Sequence, residues 1–386
     1  MVRAVDVPAG VVAAIEREVA GGAPGSGEAD VPPTGRVTVG RAGARPDRAL
    51  PANRDEITGD AGDGWVVGRA GHELIVTGEH GWFAVRRDEE GLTIEAGDGV
   101  RPWSLVRDAV RPAVQIAGLD RGVAVVHAAA VVAGGTGLLV AGWSESGKTE
   151  TALALAERGA RFVGDKWTIA FPSPAAVGDL DGPGDGPTAR FAPYPVRVGI
   201  RDWVVPHLPT LARALGRSRR ARLGAGSVAD RLGRAIGGIA GAHPASDALL
   251  GPVGRVGSLA ATIRLQPATI RGAYGQPEGE SSEVLRALVV LTTVEPGTRP
   301  AIEPLDPAVA AERLARSAAY ERRGFHLLGE RAAALFGDEP PIPGFGVVAA
   351  EAEVLRARFR DVRTFELRMP FPADPGPGAD LILSVV

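Results

Sequence analysis

Short alternations of apolar and polar residues dominate the first hundred positions. Arg36–Val39, Trp65–Gly68, Glu73–Thr77, Trp82–Arg86 and Leu92–Glu95 each run briefly between turn-forming residues. A period of two in such runs predicts the strands of a small antiparallel sheet. Before and between them, residues 8–20 (PAGVVAAIEREVA) read as a short helix. Gly21–Pro33 reads as a Gly/Pro/acidic linker and Ala42–Gly64 as a polar loop. Pro102–Ala117 carries a helical pattern.

From about residue 121 the pattern changes to strand, Gly-Gly turn, strand, loop, helix, strand. His127–Val132, the pair Gly134-Gly135 and Thr136–Ala141 predict a β-hairpin with a two-residue turn. Residues 173–190 form a Pro/Gly/Asp loop. Beyond it Tyr194–Ile200 predicts a strand, and His207–Arg222 and Val228–Ile239 predict arginine-rich helices. Ala287–Glu295 is the clearest late strand, and Pro307–Tyr320 and Leu327–Phe336 are amphipathic helices. Phe365–Met369 and Leu381–Val386 are expected to close a sheet. The organisation expected is a β-rich accessory region over residues 1–100 and one larger α/β domain over 101–386.

Composition narrows the chemistry. An apolar fraction of 45% and a charged fraction of 23% suit a globular protein, and a net charge of −3 points to neither nucleic acid nor an anionic membrane. With no cysteine, disulfides, thiolate metal sites and thiol nucleophiles are excluded within this chain. The amino terminus lacks the pattern of a signal peptide, and the apolar run Val123–Trp143 is broken by His127 and Gly134-Gly135, so a hairpin fits it better than a membrane span. A cytoplasmic location is expected. Of 43 basic residues only Lys148 and Lys166 are lysines, and both fall around the one strong motif. The run Arg213–Arg222 reads as a solvated helix face, with a phosphate clamp as its alternative.

That motif is Gly142-Trp-Ser-Glu-Ser-Gly147-Lys148-Thr149, which matches G-x4-G-K-[ST]. Backbone N–H groups of such a loop curl around phosphate oxygens, and the helix that follows presents its positive end. Gly142, Ser144, Glu145, Ser146, Gly147, Lys148, Thr149 and Glu150 are the expected nucleotide-binding set. Lys148 is to reach the β- and γ-phosphates of ATP, and Thr149 to ligate Mg²⁺. An apolar strand precedes the loop and a helix-forming run, Glu150–Arg158, follows it, which is the context the motif requires.

After Gly159 the run Arg161-Phe-Val-Gly164-Asp165 completes a βαβ pattern. The two strands are expected to be parallel and to end at one edge, which brings Asp165 beside the loop. A carboxylate there can ligate Mg²⁺ or take a proton from an attacking hydroxyl; the plainer alternative is a turn cap. Lys166 either balances charge on the transferring group or pairs with Asp165 or solvent. Paired hairpin residues sum to 269, so His127 falls opposite Gly142. There it either tunes Asp165, touches the γ-phosphate, or is satisfied by backbone at a strand end.

The run from His127 through Gly142, Ser146-Gly-Lys-Thr-Glu-Thr-Ala-Leu-Ala-Leu-Ala-Glu-Arg-Gly-Ala160 and Phe162-Val-Gly-Asp165 resembles the catalytic core of HPr kinase/phosphorylase. That family shares a P-loop core with ATP-dependent phosphoenolpyruvate carboxykinases. The resemblance covers about fifty residues strongly. It implies an α/β fold: a P-loop kinase core of the HPr kinase C-terminal-domain type with a mixed sheet, plus a small N-terminal β-rich domain. It carries catalytic roles onto His127 and onto Asp165, the latter as the base. It differs where the family has a second aspartate, since Lys166 stands there. The activity implied is transfer of a phosphoryl group from ATP·Mg²⁺ to a hydroxyl of a peptide, protein or small-molecule acceptor. The alternative, prompted by Lys166, is a nucleotide-binding switch without transfer.

Overall fold

The alternations of the first hundred residues become strands in the computed structural model, which describes residues 2–4, 37–41, 65–78, 81–88, 91–97, 99–173, 189–194, 196–216, 262–277, 282–337 and 340–386. The helices expected over 8–20 and 228–239, the stretches Gly21–Pro33 and Ala42–Gly64, and most of the loop at 173–190 lie outside these residues. Contacts divide the chain into two compact units, each discontinuous in sequence.

The first unit comprises Met1–His127, Ile169–Phe191 and Asp306–Arg363. Its strands β1 (Val2–Ala4), β2 (Val37–Arg41), β3 (Val66–Ala70), β4 (Glu73–Gly78), β5 (Gly81–Asp88) and β6 (Gly91–Ala96) form one sheet in the order β1-β2-β6-β5-β4-β3. The β3–β4, β4–β5 and β5–β6 pairs are antiparallel, as expected of runs joined by short turns. The expectation of a wholly antiparallel sheet is corrected at the other edge, where β1–β2 and β2–β6 are parallel. Long connections flank β2, so no hairpin constrains its direction.

Val67, Leu74, Val76, Phe83, Val85 and Ile94 turn to one buried face of this sheet. They pack on a helical run composed of α1 (Pro102–Leu105), a π-helical turn (Val106–Val110) and α2 (Arg111–Ile116). Pro112 has no N–H to give to the preceding turn, and the widened turn lies just before it. Strand β7 (Ala124–Val126) follows.

The second unit comprises Ala128–Thr168, Ala192–Leu305 and Thr364–Val386. The predicted hairpin is present as β8 (Ala128–Ala133) and β9 (Thr136–Gly142), paired from Ala133↔Thr136 to Ala128↔Ala141. Helix α3 (Lys148–Glu157) leads to β10 (Arg161–Gly164), and β11 (Thr168–Pro172) and β12 (Ala189–Pro193) come next in the chain. Strand β13 (Val198–Arg201) falls at the end of the strand expected over Tyr194–Ile200, and a 3-10 turn (Asp202–His207) follows it. Of the helix expected over His207–Arg222, the short α4 (Pro209–Ala214) is present, and residues 217–222 lie outside the described residues. Proline at position 209 suits a helix start, so the helix begins there. Glu157 accepts hydrogen bonds from Thr210 N at 3.0 Å and Leu211 N at 3.1 Å, which ties that start to the end of α3.

Strand β14 (Thr262–Leu265) pairs antiparallel with β13, and α5 (Pro267–Ala273) follows. Strand β15 (Glu283–Val294) contains the expected late strand and runs parallel to β9. Strand β16 (Ala301–Pro304) closes this stretch. Helices α6 (Pro307–Glu321), α7 (Arg323–Phe336) and α8 (Val347–Phe359) belong to the first unit, where Phe325, Leu328 and Ala332 of α7 join the core under the six-stranded sheet. At the junction of α6 and α7, Arg322 ion-pairs through Nη2 with Glu351 Oε2 of α8, both side chains almost wholly buried.

The chain ends with β17 (Arg363–Pro370), which pairs with β15 and β16, and α9 (Gly376–Val385). Leu381–Val386 was expected to close a sheet and is helical instead. Asp374 Oδ1 accepts from Gly376 N at 2.8 Å at the start of this helix, and Gly378, Ala379 and Ile382 form its buried stripe. A short apolar run fits a buried helix as well as a strand, and the proline and capping aspartate upstream decide it. No helix among the described residues is long and apolar enough to cross a membrane.

Candidate functional site

The second unit assembles the predicted loop from its own segments. Strand β8 and the stretch Ala287–Leu291 of β15 are apolar, and both faces of β9 are buried, as expected of strands in the interior of a sheet. The sheet order is β10-β8-β9-β15. Strand β8 runs antiparallel to both β9 and β10. The first and second strands of the βαβ pattern are therefore parallel, as expected, with β8 inserted between them. Gly142 at the end of β9 and Asp165 just after β10 thus emerge at one edge.

The loop turns sharply at two glycines. A Cβ on Gly142 would lie 2.6 Å from Ser146 Oγ and 2.9 Å from Leu291 O. Gly147 has a φ of 93°, and a Cβ there would lie 3.1 Å from the ring of Phe371. Only glycine fits both demands at 147. Gly147→Ala is expected to cost about 1–3 kcal/mol in stability, read as a lowered thermal midpoint; an unchanged midpoint would show that Phe371 yields freely.

Lys148 is buried, and its ammonium donates to Gly142 O at 3.2 Å and Trp143 O at 2.5 Å. It therefore lies folded along the loop it belongs to. Thr149 donates its hydroxyl to Asp165 Oδ2 at 2.8 Å. The structure thus joins the last residue of the loop motif directly to the predicted carboxylate. Asp165 is 3% exposed. Its Oδ1 accepts no hydrogen bond of ordinary geometry, and neither does the buried Ser146 hydroxyl have a partner. Burial raises the Asp165 carboxyl above its usual range, while the Thr149 hydroxyl and the charges of Lys148 and Lys166 oppose that rise.

Lys166 sits in a three-residue turn. Its φ is 70°, and Trp167 N donates to Asp165 O at 2.8 Å across it. Such a positive φ is uncommon for a non-glycine residue, and strain of this kind gathers at functional sites. Glu150, in the first turn of α3, is also buried. Desolvation pushes its carboxyl up to about 7, with the nearby Asp165 charge adding to the rise and Arg201 and Lys148 opposing it. Ser144 is half-buried and Glu145 exposed.

The residue arrangement also suits a magnesium ion. A buried carboxylate stands beside the Thr149 hydroxyl, and Mg²⁺ bound with nucleotide takes one or two protein ligands alongside waters and phosphate oxygens. Among the described residues no group of three or more His, Asp or Glu side chains forms a self-sufficient metal site.

Solved structures match this chain in fold comparison. The chain is similar to the Hpr(Ser) kinase/phosphatase from Coxiella burnetii, at 10% identity over 67% of this chain and 94% of that one, with a TM-score of 0.26. No family model and no curated protein matches the chain.

His127 closes the first unit, where its Nδ1 lies 3.4 Å from Ser317 Oγ on α6. The hairpin register has the expected constant sum and its last pair is Ala128↔Ala141. The catalytic role expected of His127 rests on the sequence resemblance.

Three neighbours of the loop escaped the sequence reading. Arg201, at the end of β13, ion-pairs with Glu145 at 2.5 Å. Phe371 lies against Gly147, and Trp203 meets Phe371 edge-to-face at 5.4 Å between ring centres. They come from segments far along the chain, and no local spacing marks them.

Proposed function

We propose that this protein is an ATP-dependent kinase that transfers the γ-phosphoryl group to a hydroxyl acceptor. The single observation that supports this reading is the hydrogen bond from Thr149 to the buried Asp165. In this reading it joins a carboxylate suited to metal and proton handling to the end of a loop whose motif suits phosphate. Nothing so buried is needed to cap a turn, and an isolated buried carboxylate is costly.

In this reading the backbone amides of Gly142–Thr149 hold the β- and γ-phosphates, and Lys148 leaves its loop carbonyls to balance their charge. Thr149 and Asp165 would hold Mg²⁺, which when bound neutralises phosphate charge. Asp165 accepts the proton of the acceptor hydroxyl as its oxygen bonds to the γ-phosphorus. The bond from that phosphorus to the bridging oxygen breaks, and ADP leaves with the electron pair. The acceptor is a hydroxyl of a peptide, a protein or a small molecule.

Calorimetry tests the first requirement. Wild type is expected to bind ATP with magnesium, and Lys148→Ala to bind it about 10–100-fold more weakly, the loss of a charge-assisted contact. Equal binding by both proteins, or none by the wild type, would remove the basis of the reading.

A further inference from the structure

A loop that receives a polyphosphate is poorly served by acidic side chains of its own. This loop has Glu145 within it, Glu150 just after it and Asp165 beside it. The last two are buried. Glu145 is different, since its side chain is 65% exposed. Its backbone is unusual as well, with a φ of 59° that only a few per cent of non-glycine residues adopt. The turn thus presents an exposed carboxylate from a strained position on the loop.

What this carboxylate touches is Arg201, at 2.5 Å. Arg201 ends β13, a strand fixed to β14 by a continuous register from Val198↔Leu265 to Arg201↔Thr262. The next residues form the 3-10 turn whose Trp203 packs on Phe371, the ring that lies against Gly147. The backbone that carries the guanidinium is therefore set on the same framework as the loop. The charge of Arg201 also acts on Glu150, so it is felt at the start of α3 as well as at position 145.

As a stabilising contact this pair has little value. With Arg201 42% and Glu145 65% exposed, such a surface ion pair is worth about 0–1 kcal/mol. Its effect lies in orientation: it holds a planar, five-donor cation at Glu145 of the loop. Guanidinium groups match phosphate oxygens in a bidentate manner that ammonium groups do not.

We propose that Arg201 binds the terminal phosphate of the nucleotide, and that Glu145 is the positioning residue that holds its guanidinium over the loop. This rests on the kinase reading of the loop and adds to it a residue that distinguishes a triphosphate from a diphosphate.

The test titrates the full-length protein with Mg·ATP and Mg·ADP by calorimetry. Wild type, Arg201→Ala, Arg201→Lys, Glu145→Gln and the Arg201→Ala/Glu145→Gln double variant are compared. Arg201→Ala is expected to weaken ATP binding about tenfold, the loss of one charge-assisted contact, with ADP binding changed by less than about twofold. Arg201→Lys is expected to retain part of the preference. Glu145→Gln alone should weaken ATP binding by less than Arg201→Ala does, since the guanidinium is released but still present, and in that background removal of Arg201 should reduce ATP affinity further. An arginine that merely braces Glu145 gives the opposite result, with no further loss in that background. Equal losses for ATP and ADP, or no loss for either, would also overturn the proposal while leaving the loop reading intact. A wild type that binds neither nucleotide overturns both.

Discussion

Replacing Asp165 by asparagine is expected to reduce phosphoryl transfer by about 10²–10⁴-fold, the range removed with a general base. The amide oxygen can still accept from the Thr149 hydroxyl, which now meets Asp165 Oδ2 at 2.8 Å, so the loop keeps its anchor. What the variant lacks is an oxygen able to take a proton. ATP binding in the absence of magnesium should accordingly stay close to wild type. The measurement incubates each protein with ATP and a cell extract and identifies phosphorylated product by mass spectrometry, with Lys148→Ala as the control for binding. A nucleotide switch would give no product with either protein while both bind ATP. Equal product from wild type and Asp165→Asn would show that the base lies elsewhere.

The second large effect concerns stability. Arg322→Met is expected to destabilise the first unit by about 3–5 kcal/mol, because it strands Glu351 as a buried, uncompensated charge. The Arg322 and Glu351 side chains are 1% and 0% exposed. Arg322 Nε and Nη1 and Glu351 Oε1 have no hydrogen-bond partner among the described residues. A pair so incompletely satisfied gains little over hydrophobic replacements, whereas half of it is worse than neither. The Arg322→Met/Glu351→Leu double variant should thus recover most of the loss. Urea unfolding of the three proteins measures this. A double variant as unstable as the single one would mean that the ion pair itself carries the stability.

The parts of the fold that could be read from the sequence were those fixed by local chemistry. The Gly134-Gly135 pair set the hairpin and its register, and the alternation between Trp65 and Glu95 set four strands. The loop motif could be read because its chemistry is compressed into eight consecutive residues. Asp165 followed from strand direction, a topological rule that holds even with β8 inserted between the two strands. Leu381–Val386 was misread because a run of apolar residues contains no period of its own. Arg201 and Phe371 stayed hidden for another reason. Each reaches the loop only through tertiary packing of β13, the turn after it and the end of β17.

The order in which the second unit is written along the chain has a consequence for its synthesis. The loop, α3 and Asp165 leave the ribosome with the segment Ala128–Thr168, but Leu367, Met369, Ala379 and Ile382 of the same core are translated only after the intervening segment Asp306–Arg363 of the first unit. A nascent chain halted at residue 363 would carry every signature amino acid and still lack the apolar backing that steadies them. Packing of the loop and α3 therefore has to await synthesis of the segment Thr364–Val386.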